Sequence, residues 1–302
     1  MKYLVFDISN LLYATFFVHK QETDTTIAGL AAHSALMTLN KYYRQFKPDK
    51  VVMAFDRSSW RKEYTASEEC VSKRPYKGNR RQNMTSAEQA KYERFCAHVN
   101  DFENLITNYT SIISLAGKNL EADDLIGGFV QTHQDDEIII VSADHDFLQL
   151  LKFPNVTIFS PKSGKKRDLS EYHDDPIYYL YLKYIRGDIK GDHIQSALPG
   201  VREKAVYEAY NDPYKHEELM RRVWKDPNGR EFVVRDLFNE NKKLINLEQQ
   251  PEEIRERILH TINEEMARKK RYSFFHMLKF LKKLELNKIT ENLESLEPLL
   301  SR

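Results

Sequence analysis

The sequence has little cysteine and no long apolar run, and each absence argues against a class of protein. Two of its 302 residues are cysteines, Cys70 and Cys96, and they lack the spacing of a zinc knuckle. We therefore expect no disulfide framework, and we expect the protein to lie in a reducing compartment. No stretch approaches the ~20 apolar residues that span a bilayer. The N-terminal MKYLVFDISN has too short an apolar part for a signal peptide, so we expect a soluble cytoplasmic protein that contacts no membrane.

An excess of charge of one sign is also lacking. The 46 lysines and arginines nearly cancel the 45 aspartates and glutamates and leave a net charge of +1. The whole-chain charge therefore predicts no partner, and only the local distribution of charge can do so. With 41% hydrophobic residues, the chain can bury a sizeable core, as one large domain or as one domain with a smaller companion.

Three short apolar runs predict buried strands, at residues 3–6, 51–55 and 138–142. β-branched and aromatic residues dominate them without polar alternation, as in parallel strands that are covered on both faces. Helical patterns lie between them, in LAAHSALMTLNKYYRQF and DDLIGGFVQTH, and residues 156–160 form a fourth candidate strand. This alternation predicts an α/β fold with a mainly parallel central sheet flanked by helices.

Helical patterns replace strands from about residue 175 onward, in PIYYLYLKYIRG, PEEIRERILHTINEEMARKK and SFFHMLKFLKKLEL. The last segment has an apolar helical face, which favours core packing over a stacking surface. The residues of that face are Phe274, Phe275, Leu278, Phe280 and Leu281. We therefore predict an α/β domain over residues 1–190 and a smaller, mostly helical C-terminal domain over residues 191–302.

Residues 57–98 form a long basic insertion, where two to six residues usually connect a strand to a helix. The insertion also contains Trp60, Tyr64 and Tyr76, which could stack on unpaired bases. Its clustered cations are Arg57, Arg61, Lys62, Lys73, Arg74, Lys77, Arg80 and Arg81. Long insertions are often functional lids or binding loops, and we expect this one to position phosphates.

An aspartate follows each of the three strong strand candidates. Asp7 and Asp56 follow the first two directly, and the third leads through Ala143 to Asp144 and Asp146. In a parallel sheet these positions lie at the carboxyl edge, where open α/β sheets bind their ligands. Since acids are about one residue in eight, three such strand ends would coincide by chance about once in several hundred. We therefore infer one shared site rather than three unrelated turn or cap residues.

A second group of carboxylates can face the same edge. Glu121, Asp123 and Asp124 open a predicted helix, and helix N-termini favour acids by about 0.3–1 kcal/mol each, which explains one or two of them. Asp188 and Asp192 follow in the glycine-punctuated RGDIKGDHI. So many carboxylates cannot all stay ionised in one pocket unless a cation lies among them. Oxygen ligands favour Mg²⁺ or Mn²⁺ over zinc.

An acidic centre beside a basic insertion is the charge layout of a metal-dependent nuclease. Two divalent ions about 4 Å apart can clamp a phosphodiester, one activating water and the other stabilising the leaving oxygen. Two alternatives remain open: a non-catalytic nucleic-acid-binding module with a nuclease shell, and a phosphatase or phosphotransferase with an aspartate nucleophile. The latter would need DxD directly after the first strand, but Asp7-Ile8-Ser9 lacks the second acid.

Several motifs resemble those of the 5′-nuclease (flap endonuclease) family. They are FD after each of the first two strands, EADD, VSADHDFLQL, GDIKGD and RPYKGNR. Within this family, KFPNVTIFSPKSGKK and NKKLINLEQQPEEIRERI are similar to segments of the ribonuclease H enzymes of T-even bacteriophages. The resemblance implies a PIN-like core with a helical arch over about residues 57–98. It also implies a two-ion, Mg²⁺-dependent 5′-3′ exonuclease and flap endonuclease, with Mn²⁺ as a substitute, that removes RNA primers from lagging-strand fragments.

The resemblance further assigns roles to single positions. The matches to the first metal's ligands are Asp7, Asp56, Asp123 and Asp144, the last also counted as catalytic. The matches to supporting carboxylates are Glu121 and Asp124. The matches to the second metal's shell are Asp146, Asp188 and Asp192. The matches to arch residues near the scissile phosphate are Tyr76, Lys77 and Arg80, of which Lys77 and Arg80 are assigned to catalysis. Further nucleic-acid contacts are Arg74, Arg81 and Lys204.

Two stretches depart from the family pattern. Asp188 and Asp192 are four residues apart rather than three, and His193 replaces the usual asparagine. The glycine-rich hairpin of the duplex-binding helix–turn–helix keeps only Gly200 and Lys204, so we expect a degenerate motif and do not assume that it binds a monovalent ion. The partners implied are DNA and RNA–DNA duplexes with 5′ ends, flaps or forks, a single-stranded-DNA-binding protein and a sliding clamp. A monomer in the cytoplasm of a phage-infected host is also implied.

Overall fold

Parallel strands form the central sheet of the structure, a computed structural model that describes residues 1–19, 21–78 and 84–301. The strands are β1 (Lys2–Asp7), β2 (Lys50–Ala54), β3 (Ile113–Leu115), β4 (Glu137–Val141) and β5 (Val156–Phe159). Their order is β3-β2-β1-β4-β5, so the chain extends the sheet to one side of β1 and returns to the other side at β4. The carboxyl ends of β1 and β4 therefore form a topological switch point, where open α/β sheets bind ligands. The predicted α/β class is confirmed.

Helices cover both faces of this sheet. Before β4 they are α1 (Ile8–Val18), α2 (Asp24–Phe46), α3 (Trp60–Ala66), α4 (Ser86–Tyr109) and α5 (Ala122–Thr132). Leu4 and Phe6 of β1 pack with α2 and α4, whereas Tyr3 and Val5 pack with α5, since successive strand residues point to opposite faces. This double coverage explains why the strand sequences are apolar throughout.

The chain after β5 is mostly helical, as predicted. Its helices are α6 (Pro176–Arg186), α7 (Glu203–Asn211), α8 (Pro213–Met220), α9 (Val234–Ile245), α10 (Glu252–Ala267), α11 (Phe274–Lys283), α12 (Asn287–Glu291) and α13 (Glu297–Ser301). Short 3-10 helices span Asp146–Lys152, Ser170–Tyr172 and Leu293–Ser295. No helix within the described ranges is long and apolar enough to cross a bilayer.

One hairpin in this part was not predicted. Strands β6 (Val223–Lys225) and β7 (Glu231–Val233) pair antiparallel. The turn between them contains Pro227, Asn228 and Gly229, and Gly229 has φ +80°, which favours glycine. Asn-Gly between two short strands is a hairpin signal, so this hairpin could have been predicted from the sequence.

The C-terminal helices pack against both faces of the sheet. Met277 and Leu281 of α11 belong to the apolar cluster of α2 and α4, and Ile254 and Ile258 of α10 belong to that of α5. A third cluster joins α6, α7 and α9. The chain after residue 190 therefore completes the core of the chain before it, and the predicted domain boundary stays a prediction.

Helix α4 extends beyond the predicted end of the basic insertion. α4 continues past residue 98 to Tyr109. The extra length is core helix, because Val99, Phe102 and Ile106 are buried against the α2 side of the sheet. The helical pattern thus continues from the polar insertion into the domain core without a break.

The first turn of α11 does not join the core, contrary to the prediction from its apolar spacing. Phe274 and Phe275 are 48% and 67% exposed. This turn lies beyond the cluster that buries Phe280, and His276 anchors it by stacking on Tyr109 with ring centres 3.7 Å apart. Apolar spacing indicated a buried face, but not the point along the helix at which burial begins.

Candidate metal centre and nucleic-acid interface

Three aspartates from separate parts of the chain meet at the carboxyl edge of β1, β2 and β4. Asp7 is the last residue of β1, Asp56 follows β2, and Asp144 lies in the loop after β4. Ser142 Oγ donates to Asp7 Oδ2 at 3.1 Å, which joins the ends of β1 and β4. Asp56 Oδ1 accepts from the Ala122 amide at 2.8 Å, which ties the start of α5 to the same edge.

Burial and neighbouring negative charge raise the pKa values of two of these carboxyls. Burial, followed by the charges of Asp56 and Asp144, raises the pKa of Asp7 to about 8. Burial, followed by the charge of Asp146, raises the pKa of Asp144 to about 6. A cation among these groups would offset the repulsion that raises both values. The donors are all oxygen atoms, so they fit Mg²⁺ or Mn²⁺.

A buried arginine neutralises the acidic start of α5. Arg61 is 2% exposed, and its guanidinium forks onto Asp124, with Nη1 donating to Oδ2 at 2.9 Å and Nη2 to Oδ1 at 2.8 Å. Nη1 also donates to Glu121 Oε2 at 3.0 Å, and Nε donates to the Leu244 carbonyl at 2.7 Å. Gln250 donates to Asp124 Oδ1 at 3.0 Å, so both oxygens of this fully buried carboxylate have protein donors. Burial removes Arg61 from the phosphate-binding surface expected of the basic insertion.

Glu121 connects this cluster to the insertion. Lys77 Nζ donates to Glu121 Oε1, and Ser59 Oγ donates to Oε2 at 2.5 Å. Burial would raise the pKa of Glu121, but Lys77 and Arg61 together lower it to about 2. Lys77 Nζ also lies 3.7 Å from Asp192 Oδ1, so one ammonium bridges the start of α5 and the loop after α6.

Asp123 is the least buried member of the acidic run. Its side chain is 20% exposed, against 6% for Glu121 and 0% for Asp124. Burial raises the pKa of Asp123 well above its ordinary value, and the charges of Asp124 and Glu121 add to the rise while Arg61 opposes it. The three carboxylates place oxygens within 4.8 Å of one another, a spacing that can hold a metal ion.

A lysine that the sequence did not single out lies beside Asp146. Lys183 Nζ of α6 is 2.7 Å from Asp146 Oδ1. Burial would lower the pKa of Lys183, but Asp146, Tyr179 and Asp188 raise it, so the ammonium stays charged. The available signal was one lysine amid the apolar and aromatic residues of PIYYLYLKYIRG, where a cation needs a partner.

The irregular GDIKGD segment forms a loop whose ends are hydrogen-bonded to each other and which contacts the basic insertion. Asp188 and Ile194 exchange two backbone hydrogen bonds of 3.1 and 2.9 Å across its ends. Asp192 Oδ2 accepts from the Tyr76 hydroxyl at 2.7 Å, and its carbonyl accepts from the Lys77 amide at 2.9 Å. The charge of Asp192 also contributes to the raised pKa of Asp144, which places Asp192 near that carboxylate. The second-metal roles of Asp188 and Asp192 stay predictions.

Arg74 fixes the base of the arch to the same loop. Its Nη1 donates to Gln195 Oε1 at 2.6 Å, and its Nη2 lies 3.2 Å from His193 Nε2. His193 Nδ1 lies 2.9 Å from the Pro75 carbonyl. An imidazole that donates from Nδ1 to this carbonyl accepts at Nε2, so His193 completes a contact between the loop and the arch. Arg74 therefore has an internal role beside its predicted contact with nucleic acid.

The other predicted nucleic-acid contacts lie in different places. Lys204 is exposed in the first turn of α7. Arg80 and Arg81 lie outside the described residues. Lys77 lies among the carboxylates, with its Nζ next to Glu121 and Asp192.

Two aromatic residues of the insertion are core residues, contrary to the prediction that they stack on bases. Trp60 and Tyr76 are each 3% exposed. The guanidinium carbon of Arg61 lies 4.8 and 5.8 Å from their respective ring centres. Tyr64 is half-buried beside Lys243, whose Nζ is 4.1 Å from its ring centre. The aromatics thus enclose the buried guanidinium.

The N-terminal part of the chain matches a known family. Residues 2–178 match the model of the 5′-3′ exonuclease, N-terminal resolvase-like domain. The chain belongs to this family. The aspartates at the ends of β1, β2 and β4 and the acidic start of α5 all lie in the matched part of this exonuclease-family chain, whereas Asp188 and Asp192 lie beyond it.

A curated relative supports the assignment to the 5′-3′ exonuclease family. The DNA polymerase I of Caldicellulosiruptor bescii is 33% identical over 170 residues. The match covers 55% of this chain and 18% of the polymerase, so this chain spans less than a fifth of that relative's length.

Solved structures share the fold of this exonuclease-family chain. The D15 protein of T5, crystallised with metal ions, has a TM-score of 0.65 and 19% identity, over 88% of this chain and 99% of that one. The bacteriophage T5 D15 flap endonuclease in complex with DNA and metal ions has a TM-score of 0.63 and 20% identity, over 89% and 100%. The catalytic core of Rad2 in complex with DNA substrate has a TM-score of 0.50 and 15% identity, over 99% and 92%. At these identities the likeness establishes a common fold.

Proposed function

We propose that this chain is a structure-specific 5′ nuclease that hydrolyses phosphodiesters in DNA and RNA–DNA duplexes with 5′ ends, flaps or forks. One observation carries the proposal: Asp7, Asp56 and Asp144 lie at the carboxyl edge of the sheet, and Asp56 accepts from the Ala122 amide at the acidic start of α5, where Lys77 contacts Glu121. Membership of the 5′-3′ exonuclease family supports it. The T5 D15 flap endonuclease, which shares the fold, was crystallised with DNA and metal ions, and this also supports it.

The oxygen donors fit two divalent cations, Mg²⁺ with Mn²⁺ as a substitute. The first would be held by Asp7, Asp56, Asp123 and Asp144. The second would be held by Asp146, Asp188 and Asp192. When bound, such cations activate water for attack and stabilise negative charge on the phosphate and on the leaving oxygen.

The protein's own residues would position the substrate and keep the centre in order. Lys77 lies where the arch meets the carboxylates, so its ammonium would offset charge that develops on the phosphate. Arg80 of the arch would add a second cation. Glu121, with its pKa lowered to about 2, stays ionised at neutral pH and holds Lys77 in place. Arg61 and Asp124 would brace the start of α5 from within the core.

The resemblance to the T-even bacteriophage enzymes extends the proposal to a biological task. The chain would remove RNA primers from lagging-strand fragments as short 5′ pieces. Lys204 on α7 would contact the duplex, and Arg74 and Arg81 would contact the strand near the arch. The proposed partners are a single-stranded-DNA-binding protein and a sliding clamp, with the enzyme acting as a monomer in the cytoplasm.

Cleavage of a 5′-labelled flap duplex and of an RNA-primed duplex, each with Mg²⁺ and with EDTA, tests the proposal. Asp123→Ala is assayed beside the wild type. We expect short 5′ products that require both the metal and Asp123. Tight, salt-sensitive binding without products in Mg²⁺ or Mn²⁺ would instead indicate a non-catalytic binding module. Every predicted carboxylate is present, so no observation favours that alternative.

A further inference from the structure

The loop after β4 carries two proposed ligands but has no regular secondary structure of its own. It runs from Ser142 through Asp144 to Asp146, where a 3-10 helix begins. A loop outside a helix or strand holds its side chains in place only if other groups fix its peptide planes. The source of that restraint therefore bears directly on the geometry of the metal centre.

Three consecutive carbonyls of this loop are each held by a side chain from elsewhere in the chain. Arg167 Nη1 donates to the Ala143 carbonyl at 3.0 Å and to the Asp144 carbonyl at 2.7 Å. The Tyr179 hydroxyl donates to the His145 carbonyl at 2.7 Å. These contacts fix the peptide planes on both sides of Asp144, and with them the direction in which its carboxylate projects.

Both donors sit on well-anchored parts of the fold. The Arg167 amide donates to the Ile158 carbonyl of β5 at 2.8 Å, so its backbone is an extension of the sheet. Tyr179 of α6 is 2% exposed and packs edge-on against Tyr172, with ring centres 4.8 Å apart. The loop carbonyls are therefore clamped between the edge strand and a buried helix.

The rest of the loop is restrained from the side of the carboxylates. Ser142 Oγ accepts from the Asp144 amide at 3.0 Å and donates to Asp7 at 3.1 Å. Asp144 Oδ1 accepts from the Asp146 amide at 2.8 Å, and Lys183 holds Asp146. The contacts of Arg167 and Tyr179 are thus the part of the restraint that involves no carboxylate of a proposed ligand.

We propose that Arg167 and Tyr179 are positioning residues that hold Asp144 and Asp146 in the geometry required to bind divalent metal. They do so through the loop carbonyls, without touching the metal or the substrate. This inference rests on the proposed metal-dependent nuclease function. Replacement of residues that orient metal ligands without contacting the metal typically lowers metal affinity or activity by about 10–100-fold.

The direction in which metal affinity changes when Arg167 is replaced distinguishes a positioning role from a simple effect of its charge. Arg167→Met removes one positive charge near the carboxylates, which by Coulomb attraction alone would tighten the binding of a cation. Loss of positioning would weaken binding instead. Lys166→Met is the matched control, because Lys166 is the exposed neighbour of Arg167 and its loss changes the net charge equally. Tyr179→Phe removes only a hydroxyl and leaves the charge unchanged.

The experiment is a calorimetric titration of each full-length variant with Mn²⁺ in the absence of nucleic acid, together with thermal unfolding in EDTA. We expect Arg167→Met and Tyr179→Phe to weaken Mn²⁺ binding by about 10–100-fold and Lys166→Met to leave it equal or tighter. Arg167→Lys keeps the charge and a single donor nitrogen, and should recover part of the loss. Mg²⁺-dependence of flap cleavage should shift to higher concentrations in the same order.

Other outcomes would overturn either the positioning role or the proposed function. Mn²⁺ binding by Arg167→Met at wild-type affinity or tighter, as expected of Lys166→Met, would overturn the inference. If Arg167→Met does not fold, Tyr179→Phe and Arg167→Lys decide it, and wild-type affinity in both would also overturn it. A wild-type protein that neither binds Mn²⁺ nor cleaves would instead refute the proposed function, which separates the two failures.

Discussion

Replacement of Arg61 tests the role that the structure gives to this buried cation. Its guanidinium donates to Asp124, Glu121 and the Leu244 carbonyl, and it is 2% exposed. Arg61→Met keeps much of the side-chain volume but removes the charge and every donor. The fully buried Asp124 would then lose its main partner.

The expected loss of stability follows from the removal of that buried partner. Removal of one member of a buried ion pair costs about 3–5 kcal/mol, far more than the intact pair contributes. Since 1 kcal/mol shifts the midpoint of a domain of this order of size by about 2–4 °C, we expect a fall of about 6–20 °C. Asp124→Asn in the Arg61→Met background should recover part of the loss, because it removes the carboxyl that has lost its partner.

Chemical and thermal unfolding of the wild type and the variants measures these differences. Arg222→Met is the control, since Arg222 is 50% exposed, pairs with Glu218 on the surface, and should change stability by less than about 1 kcal/mol. A change of less than about 1 kcal/mol for Arg61→Met would refute the assigned role. If nucleic-acid affinity fell while stability stayed unchanged, Arg61 would be a substrate contact, as its place in the basic insertion first implied.

Three further predictions concern pH, turnover and duplex binding. The pKa of Asp7 is raised to about 8 in the folded protein, whereas the unfolded chain releases the same proton near pH 4. In EDTA, the temperature of the unfolding midpoint should therefore decrease as the pH rises from about 4 to about 8. The decrease should be smaller in Asp7→Asn. Addition of Mg²⁺ should restore the midpoint most strongly at the alkaline end. Lys77→Ala should lower the single-turnover rate of cleavage more than it weakens binding; equal effects would contradict a role on the developing charge. Lys204→Ala should weaken duplex binding and reduce the salt slope by about 0.9 with turnover unchanged, as measured by binding titrations at several salt concentrations.

The carboxylate cluster that we propose as the metal centre could be located from the sequence because its geometry follows from strand direction. Parallel strands place their carboxyl ends at one edge, so Asp7, Asp56 and Asp144 could be brought together without knowledge of any other contact. The acidic start of α5 joined them because a helix in the same layer begins at that edge. Local patterns therefore sufficed wherever the site depends on the path of the backbone.

The partners of these carboxylates could not be predicted, because they depend on tertiary packing. Arg61 lies in a run of cations, and nothing in the sequence of that run marks one of them as buried. Trp60 and Tyr76 have the composition of a stacking surface but enclose Arg61 instead. Lys183 reaches Asp146 only because α6 packs beside the loop after β4. Sequence patterns indicate which residues have the chemistry, and packing decides which of them neutralise one another.

The most direct test of the metal-dependent nuclease is single-turnover cleavage of a 5′-labelled flap duplex by the wild type and by Asp144→Asn in Mg²⁺. Binding of the same duplex is measured in parallel. The substitution keeps the shape of the side chain and removes its charge, so the duplex should bind at least as tightly. Cleavage should fall by about 100-fold or more, because several kcal/mol of transition-state stabilisation depend on the metal. Cleavage by a folded Asp144→Asn protein at the wild-type rate would contradict the assignment of this carboxylate cluster as the catalytic metal centre.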